Sequence, residues 1–148
     1  CNNSVDPDSP TLGTDINALI SAGNAALLTN LKINIDAPSP ITGPSLVGCV
    51  SDTLISNDHM ITFIDRTVTQ DTVDYYNDIL ANFGGEIGGM IIYECDADRI
   101  TYYDMALSMS GGRVVPDQNT DLQRFEWSFA GRSLLLPVIR DTPAGVFN

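Results

Sequence analysis

The stretch Gln123-Arg124-Phe125-Glu126-Trp127-Ser128-Phe129 decides the fold class of this chain. Its three aromatic residues, Phe125, Trp127 and Phe129, occupy alternate positions, and polar residues fill the positions between them. Because successive side chains of a strand point to opposite faces, the three rings share one face and the polar groups share the other. The pattern therefore predicts a half-buried β-strand whose aromatic face packs on a core.

Length and composition indicate one globular domain that follows an extended arm. A chain of 148 residues with 43% hydrophobic residues has the usual size of a single domain and buries roughly two-thirds of its unfolded surface. Residues 1–13 are rich in Pro, Asp and Ser, a composition typical of extended segments. We therefore predict an N-terminal arm over residues 1–13 and one β-rich domain over residues 14–148. No apolar run approaches the roughly 20 residues of a transmembrane helix, so no transmembrane segment is predicted.

Strand patterns recur along the whole domain. Alternating or continuous apolar residues rich in β-branched and aromatic types predict strands near residues 31–35, 46–55, 60–68, 87–95, 99–109, 114–115 and 122–130. A final apolar segment covers residues 134–138. Pro, Gly, Asn and Asp residues predict a long loop at 36–44 and turns at 57–58, 96–98 and 111–112. The short connection at 96–98 predicts an antiparallel hairpin between its two flanking strands.

Two segments have the period of a helix instead of a strand. Val73, Tyr76, Leu80 and Phe83 recur at steps of three and four residues, which predicts an amphipathic helix at about residues 70–83. Thr69 or Asp71 is expected to cap its start, and Gly84-Gly85 is expected to end it. A shorter helix is predicted over Ile16, Leu19 and Ile20, with Asp15 as its cap and Gly23 as its end.

Together these elements predict a mainly β fold class. The expected architecture is an antiparallel β-sandwich or barrel, with one amphipathic helix packed on it and with extended N- and C-terminal arms. The helix must lie against the sheet, because its aromatic side chains share one face and need a surface to cover.

The charge of the chain is strongly acidic. Nineteen acidic residues against seven basic residues give a formal net charge of −12. Such a surface repels phosphate backbones, so specific nucleic-acid recognition is not expected. The charge keeps the protein soluble, and it also suits a wall that DNA passes without adhering.

The sequence contains no recognisable catalytic, cofactor-binding or metal-binding motif. The single histidine, His59, follows a predicted turn, where an exposed strand-edge position is expected. Cys49 and Cys95 lie in apolar runs and are expected to be buried free thiols. Residues 84–89 lack the lysine of a phosphate-binding loop, and no bidentate glutamate follows Asp96 and Asp98 as it would in a calcium loop. We therefore predict a protein that is not an enzyme and that has no cofactor and no metal.

The order of motifs over about residues 60–148 resembles a known family. The motifs are Ile61-Thr62-Phe63-Ile64-Asp65, then Asp74-Tyr75-Tyr76-Asn77-Asp78-Ile79-Leu80, a hairpin, Arg113-Val114-Val115-Pro116-Asp117, the aromatic strand and a late Leu-Pro-Val. This order is similar to small structural proteins of tailed-phage virions, especially the tail-tube-like group. The resemblance implies a β-sandwich or barrel with a helix on its side, which assembles into rings or tubes through loops, arms and sheet edges.

The resemblance also implies partners and a location. The expected partners are further copies of the chain and other virion structural proteins, with DNA only as a cargo that passes without specific recognition. The expected location is the virion. Carboxylates in connecting segments are then candidates for the wall of a lumen, and these are Asp96, Asp98, Asp117 and Asp121.

The first residues of the chain support an alternative. Cys1-Asn2-Asn3-Ser4, followed by Asp6-Pro7-Asp8-Ser9-Pro10, resembles the start of a mature bacterial lipoprotein, in which a lipid-bearing cysteine precedes a polar tether. In this alternative Cys1 is the site of lipid attachment. The chain would then be a β-sandwich binding domain that is lipid-anchored at the outer surface of a bacterium.

Overall fold

The computed structural model of the chain describes residues 5–29, 31–43, 53–116 and 122–142. The described residues fall into two compact units. One unit takes its residues from 30–88 and 105–136 and contains the larger sheet. The other takes its residues from 1–29, 89–104 and 137–148 and contains the smaller sheet.

The larger sheet has six strands, and all of its pairings are antiparallel. Its strands are β1 (Lys32–Ile35), β2 (Ser39–Gly43), β3 (Thr53–Asp65), β4 (Glu86–Ile87), β7 (Leu107–Val114) and β8 (Arg124–Ser133). The helix α2 (Gln70–Phe83) belongs to the same unit. The strand order is β1-β3-β8-β7-β4. β2 pairs with residues 53–58 of β3, and β1 pairs with residues 61–64 of the same strand. The long strand β3 therefore lies in the interior of the sheet, with β8 on its other side.

One face of the larger sheet carries the core, and α2 packs on it. The register places Phe63 opposite Trp127 and Ile61 opposite Phe129, and all four side chains are buried. Tyr76 of α2 contacts this face, because its ring centroid lies 5.0 Å from that of Trp127. The aromatic strand predicted from the sequence is thus β8, and its aromatic face is buried as expected.

Helix α2 begins and ends at the residues that its capping pattern predicts. Thr69 is the N-cap, and its side-chain oxygen accepts a hydrogen bond from the N–H of Thr72 at 3.2 Å. Gly84 ends the helix in the left-handed conformation, with φ of 63°. A non-glycine residue adopts this conformation at a steric cost, so glycine suits the position. A mainly β chain with two antiparallel sheets and an amphipathic helix on one of them confirms the predicted fold class.

The smaller unit combines a three-stranded sheet with a helix. The elements are α1 (Leu12–Ser21), β5 (Met90–Glu94), β6 (Arg99–Tyr103) and β9 (Val138–Asp141), with the strand order β5-β6-β9. Leu12 and Ile100 are fully buried and form the centre of its core, against which Val5 and Ile16 pack. The predicted hairpin is confirmed, because β5 and β6 pair on either side of residues 95–98.

The N-terminal segment is closely tied to this smaller unit. The N–H of Ser9 donates to the carbonyl oxygen of Asp6 at 3.0 Å and closes a turn. Arg140 on β9 donates to Asp8 at 2.6 Å. Leu12 and Gly13, the last two residues of the predicted arm, are the first two residues of α1.

The start of α1 differs from the prediction. Asp15 lies in the first turn of the helix, and Thr11 is the N-cap residue. The carboxylate of Asp15 accepts a hydrogen bond from the hydroxyl of Thr11 at 3.0 Å. The apolar residues 16, 19 and 20 predict only the later turns of the helix. The first turn begins at Leu12, which is buried.

The predicted turn at 57–58 is wrong, and the predicted loop at 36–44 is wrong over residues 39–43. Residues 36–38 lie outside any strand as predicted, and residue 44 lies outside the described residues. Asn57 and Asp58 are paired residues inside β3, opposite Ser133 and Arg132 of β8. Residues 39–43 form β2, where Pro40 is tolerated because an edge strand does not need every N–H for pairing. Residues 46–52 of the strand predicted at 46–55 lie outside the described residues.

The predicted strands at 87–95 and 99–109 are each divided between the two sheets. β4 ends at Ile87 and β5 begins at Met90, while β6 ends at Tyr103 and β7 begins at Leu107. The turn predicted at 111–112 is also wrong, since both glycines lie within β7. Gly111 has φ of 142°, and an added Cβ would collide with the carbonyl oxygen of Glu126. This glycine therefore serves the close approach of two strands.

Candidate assembly surface

The residues considered for chemistry lie in environments that differ from those expected. His59 is in the interior strand β3 opposite Gly131, and its side chain is only 4% exposed. The expected exposed edge position is wrong because β3 continues through the predicted turn. Cys95 is an exposed free thiol at the hairpin turn, so its expected burial is also wrong. Cys49 lies outside the described residues.

The described part of the chain holds neither a cluster of metal ligands nor a helix that could cross a membrane. No group of three or more His, Cys, Asp or Glu side chains within it is arranged to hold a metal ion. Neither of its helices combines the length and the hydropathy that crossing a bilayer requires.

The structure describes two of the four acidic residues that were proposed for a lumen wall. Asp96 and Asp98 are both exposed in the turn between β5 and β6. Asp98 has a φ of 47°, and its Oδ1 accepts only a long hydrogen bond of 3.4 Å from the hydroxyl of Tyr93. Asp117 and Asp121 lie outside the described residues, as does the candidate lipid-attachment residue Cys1.

The base of the same hairpin is electrostatically satisfied, unlike its tip. Arg99 donates two hydrogen bonds to Glu94, at 2.7 and 2.9 Å, and Thr101 donates a third at 2.9 Å. The hydrogen bond from Arg99, followed by the one from Thr101, holds the pKa of Glu94 below its ordinary value despite partial desolvation. The net negative charge of the hairpin therefore concentrates on Asp96 and Asp98.

A group of large apolar side chains is exposed at one end of the larger sheet. We call it the apolar end, and its members are Leu54, Ile55, Leu134, Leu135 and Leu136. The three leucines follow β8 directly. The side-chain amide of Asn57 donates to the carbonyl oxygen of Leu134 at 3.3 Å, which holds this segment beside β3. Leu135 is 73% exposed.

Strand edges offer a second surface in the same unit. β4 pairs only with Leu107 and Ser108 of β7. In the described part of the chain, no strand pairs with the outer edge of β7 over residues 110–114. An edge whose N–H and C=O groups lack strand partners can pair with a strand from another chain.

No model of a known family matches the chain, and no curated protein or solved structure does so either. Support for a function therefore comes from the exposed surfaces of the molecule.

The apolar end was not foreseen from the sequence. The sequence shows the run of leucines at 134–136, but an apolar run alone does not predict whether its side chains are buried or exposed. These leucines lie in a connecting segment, because β8 ends at Ser133 and β9 begins at Val138. The exposed position is thus a consequence of strand pairing.

Proposed function

We propose that the chain is a non-enzymatic structural subunit that assembles with copies of itself. The finer part of the proposal is that the assembly is a phage virion component, either a tail tube or a related ring. That finer part derives from the resemblance of residues 60–148 to virion structural proteins of the tail-tube-like group. DNA would then be a passing cargo, and the net charge of −12 would keep it from adhering.

The apolar end is the observation that supports self-assembly best. Single exposed apolar residues are normal on soluble proteins, whereas neighbouring groups of them mark interaction sites. Here two residues of β3 and three consecutive leucines after β8 are exposed at the same end of one sheet. Covering them with another protein surface removes apolar area from water, which is the main favourable term in association.

A second copy is the partner that the proposal names. The outer edge of β7 over residues 110–114 has no strand partner among the described residues, so it suits strand pairing between chains, which adds hydrogen bonds to the apolar contact. Burial of one leucine side chain is worth about 1.5–3 kcal/mol. Losing one buried leucine from the interface should therefore weaken association by roughly 10- to 100-fold.

Two matched leucine variants test the proposal. Leu135 and Leu122 are 73% and 71% exposed, and they lie beyond opposite ends of β8. We expect Leu135→Ser to weaken self-association roughly 10- to 100-fold, as measured by sedimentation velocity over a range of concentrations. Leu122→Ser should leave self-association close to that of the unmodified chain.

The outcome also decides between the two functional classes. If Leu135→Ser and Leu122→Ser change self-association equally, the apolar end is not the assembly surface. A protein that stays monomeric at every concentration would contradict self-assembly and favour the alternative, a lipid-anchored binding domain. Electron microscopy of negatively stained samples would then separate rings and tubes from irregular aggregates in any assembled fraction.

A further inference from the structure

The basic side chains of this acidic protein divide into two groups. All seven lie in the described residues, and five of them have a polar partner. The partnered side chains are Arg99 with Glu94, Arg113 with Gln123, Arg124 with Glu126, Arg132 with Asp58 and Arg140 with Asp8. Lys32 and Arg66 make no hydrogen bond or ion pair with any described residue. The chain has 19 acidic residues, so two basic side chains without a carboxylate partner among the described residues are unusual.

These two cations line the same depression. Leu31, Lys32, Ile64, Arg66 and Thr67 surround an open cleft of about 470 Å³, which we call the cationic cleft. The register explains why they meet. Lys32 of β1 lies directly opposite Ile64 of β3, and Arg66 is two residues beyond Ile64. Residues directly opposite each other share a side of the sheet, so Ile64 and Lys32 start on the same side, and Arg66 follows immediately after the end of β3.

Two carboxylates that neighbour Ile64 in the sheet and along the chain are already engaged. Glu126 of β8 lies opposite Ile64, and it is held by Arg124 at 2.5 Å. Asp65 is on the α2 side of the sheet, where it accepts hydrogen bonds from Tyr76 and from the N–H of Thr67. The described residues of the chain therefore leave the cationic cleft without a counter-charge.

We propose that the cationic cleft receives the acidic turn Asp96-Ala97-Asp98 of a second copy of the chain. This inference rests on the proposed function, because it names one contact through which the copies assemble. Arg and Lys both bind carboxylates, and Arg does so with paired N–H donors. The attraction between the cleft and the turn is that of opposite charges, and the turn is accessible because it is the tip of a hairpin.

Availability favours this turn as the partner of the cleft. Asp96 and Asp98 are exposed, and neither forms an ion pair with a described residue. Only one residue separates them, so the turn presents two carboxylates close together to the two basic side chains of the cleft. Asp71 and Asp78 of α2 are also exposed, but they lie about 10 Å apart along the helix.

The contact has a consequence for the geometry of assembly. The cleft and the turn are different patches of the chain, so a contact between them is heterologous. Heterologous contacts generate closed rings when the rotation between copies closes, and open helical filaments when it does not. Both outcomes fit a ring or tube subunit.

A charge-reversal cycle tests the inference. One variant combines Lys32→Glu with Arg66→Glu, a second combines Asp96→Lys with Asp98→Lys, and a third carries all four substitutions. We expect each double variant to weaken self-association by about 10- to 100-fold, because like charges then face one another. The quadruple variant should recover to within a few-fold of the unmodified chain, because opposite charges face one another again. Sedimentation velocity measures all four proteins.

Controls separate this contact from general charge effects. Arg140→Glu changes an exposed cation of β9 that lies outside the cleft, the apolar end and the edge of β7, and it should change self-association by less than about threefold. A second control combines Lys32→Glu and Arg66→Glu with Asp71→Lys and Asp78→Lys, in place of the two substitutions in the turn. This variant should not recover self-association. All of the substituted side chains are exposed or partly exposed, and the fluorescence of Trp127 reports whether the larger sheet remains folded.

The inference and the proposed function fail in different ways. If the unmodified chain assembles but the quadruple variant is no stronger than either double variant, the cleft–turn contact is wrong while self-assembly stands. Saturable binding of inorganic phosphate to the cleft, without any effect of the reversals on assembly, would also overturn it in favour of a small-anion site. If the unmodified chain stays monomeric, both proposals fall.

Discussion

The hydrogen bond between Tyr76 and Asp65 is expected to fasten α2 to the larger sheet, and Tyr76→Phe tests this. The substitution keeps the aromatic contacts of the ring with Phe125 and Trp127, whose centroids both lie 5.0 Å away. It removes only the hydroxyl group, which donates to Asp65 Oδ2 at 3.0 Å in a buried environment. Among the described residues, the Asp65 side chain then keeps the N–H of Thr67 as its hydrogen-bond donor, at 2.8 Å.

The expected cost follows from the charge and burial of the acceptor. Hydrogen bonds to charged groups are worth about 1.5–3 kcal/mol, and loss of a partner leaves the buried acceptor undersatisfied. We therefore expect Tyr76→Phe to lower the free energy of unfolding by about 1.5–3 kcal/mol. This is a large part of the roughly 5–15 kcal/mol of a typical domain.

Urea denaturation followed by the fluorescence of Trp127 measures this loss. Trp127 is the only tryptophan and contacts Tyr76 directly, so its signal reports the unit that contains the larger sheet. The Asp65→Asn single variant and the double variant complete a mutant cycle, in which we expect a coupling energy of about 1–2 kcal/mol. A loss below about 0.5 kcal/mol for Tyr76→Phe, or a coupling energy near zero, would refute the fastening role of this bond.

Four further predictions concern the two cores and the response to alkaline pH. Trp127→Ala should cost about 3–5 kcal/mol, measured by circular dichroism in urea, because the side chain is buried; a near-neutral result would place its face outside the core. Gly111→Ala should destabilise by more than about 1 kcal/mol, because its positive φ and the neighbouring carbonyl of Glu126 leave no room for Cβ; unchanged stability would contradict that crowding. Leu12→Ala should cost about 2–5 kcal/mol, seen as faster proteolysis of the smaller unit, whereas an unchanged rate would mean that Leu12 belongs to a dispensable arm. Burial, followed by the hydrogen bond to Asp65, raises the pKa of Tyr76 above its ordinary value, so this contribution to stability is fully present below about pH 10 and is lost as the pH rises further. Urea midpoints between pH 8 and 11 should therefore fall more steeply for the unmodified chain than for Tyr76→Phe, and parallel curves would contradict the pKa shift.

The elements that the sequence predicts correctly are those with strong local signals. Helix α2 has an apolar face of helical period, a threonine cap and a terminal glycine, and each of these acts within a few residues. The strand β8 has three alternating aromatic residues, whose burial on a single face follows from strand geometry. The hairpin turn at 96–98 is similarly local, because a short polar connection between two apolar strands permits few alternatives.

The errors arise where pairing between distant segments overrides local preference. Asn57-Asp58 is a favourable turn sequence, yet β8 and β2 pair with β3 on both sides and keep it extended. Gly111-Gly112 reads as a turn for the same local reason, although the close approach of β8 is what requires glycine at 111. The burial of His59 follows from the pairing of β3, and the exposure of Cys95 follows from its place in the turn between β5 and β6.

The candidate surfaces were less predictable than the fold. Whether Leu134–Leu136 is buried depends on where β8 ends and what covers the segment, and neither is encoded within the run itself. The cationic cleft depends on a juxtaposition of residues 32 and 66 that strand register creates, and on the pairing of the other five basic side chains. Asp96 and Asp98 were the exception, because residues in a hairpin turn are expected to be exposed.

Self-assembly is the central claim, and the mass of the unmodified protein as a function of concentration tests it most directly. Sedimentation velocity at low salt, over at least two decades of concentration, should show species heavier than one chain whose fraction grows with concentration. A single species with the mass of one chain, unchanged across the whole range, would contradict the claim.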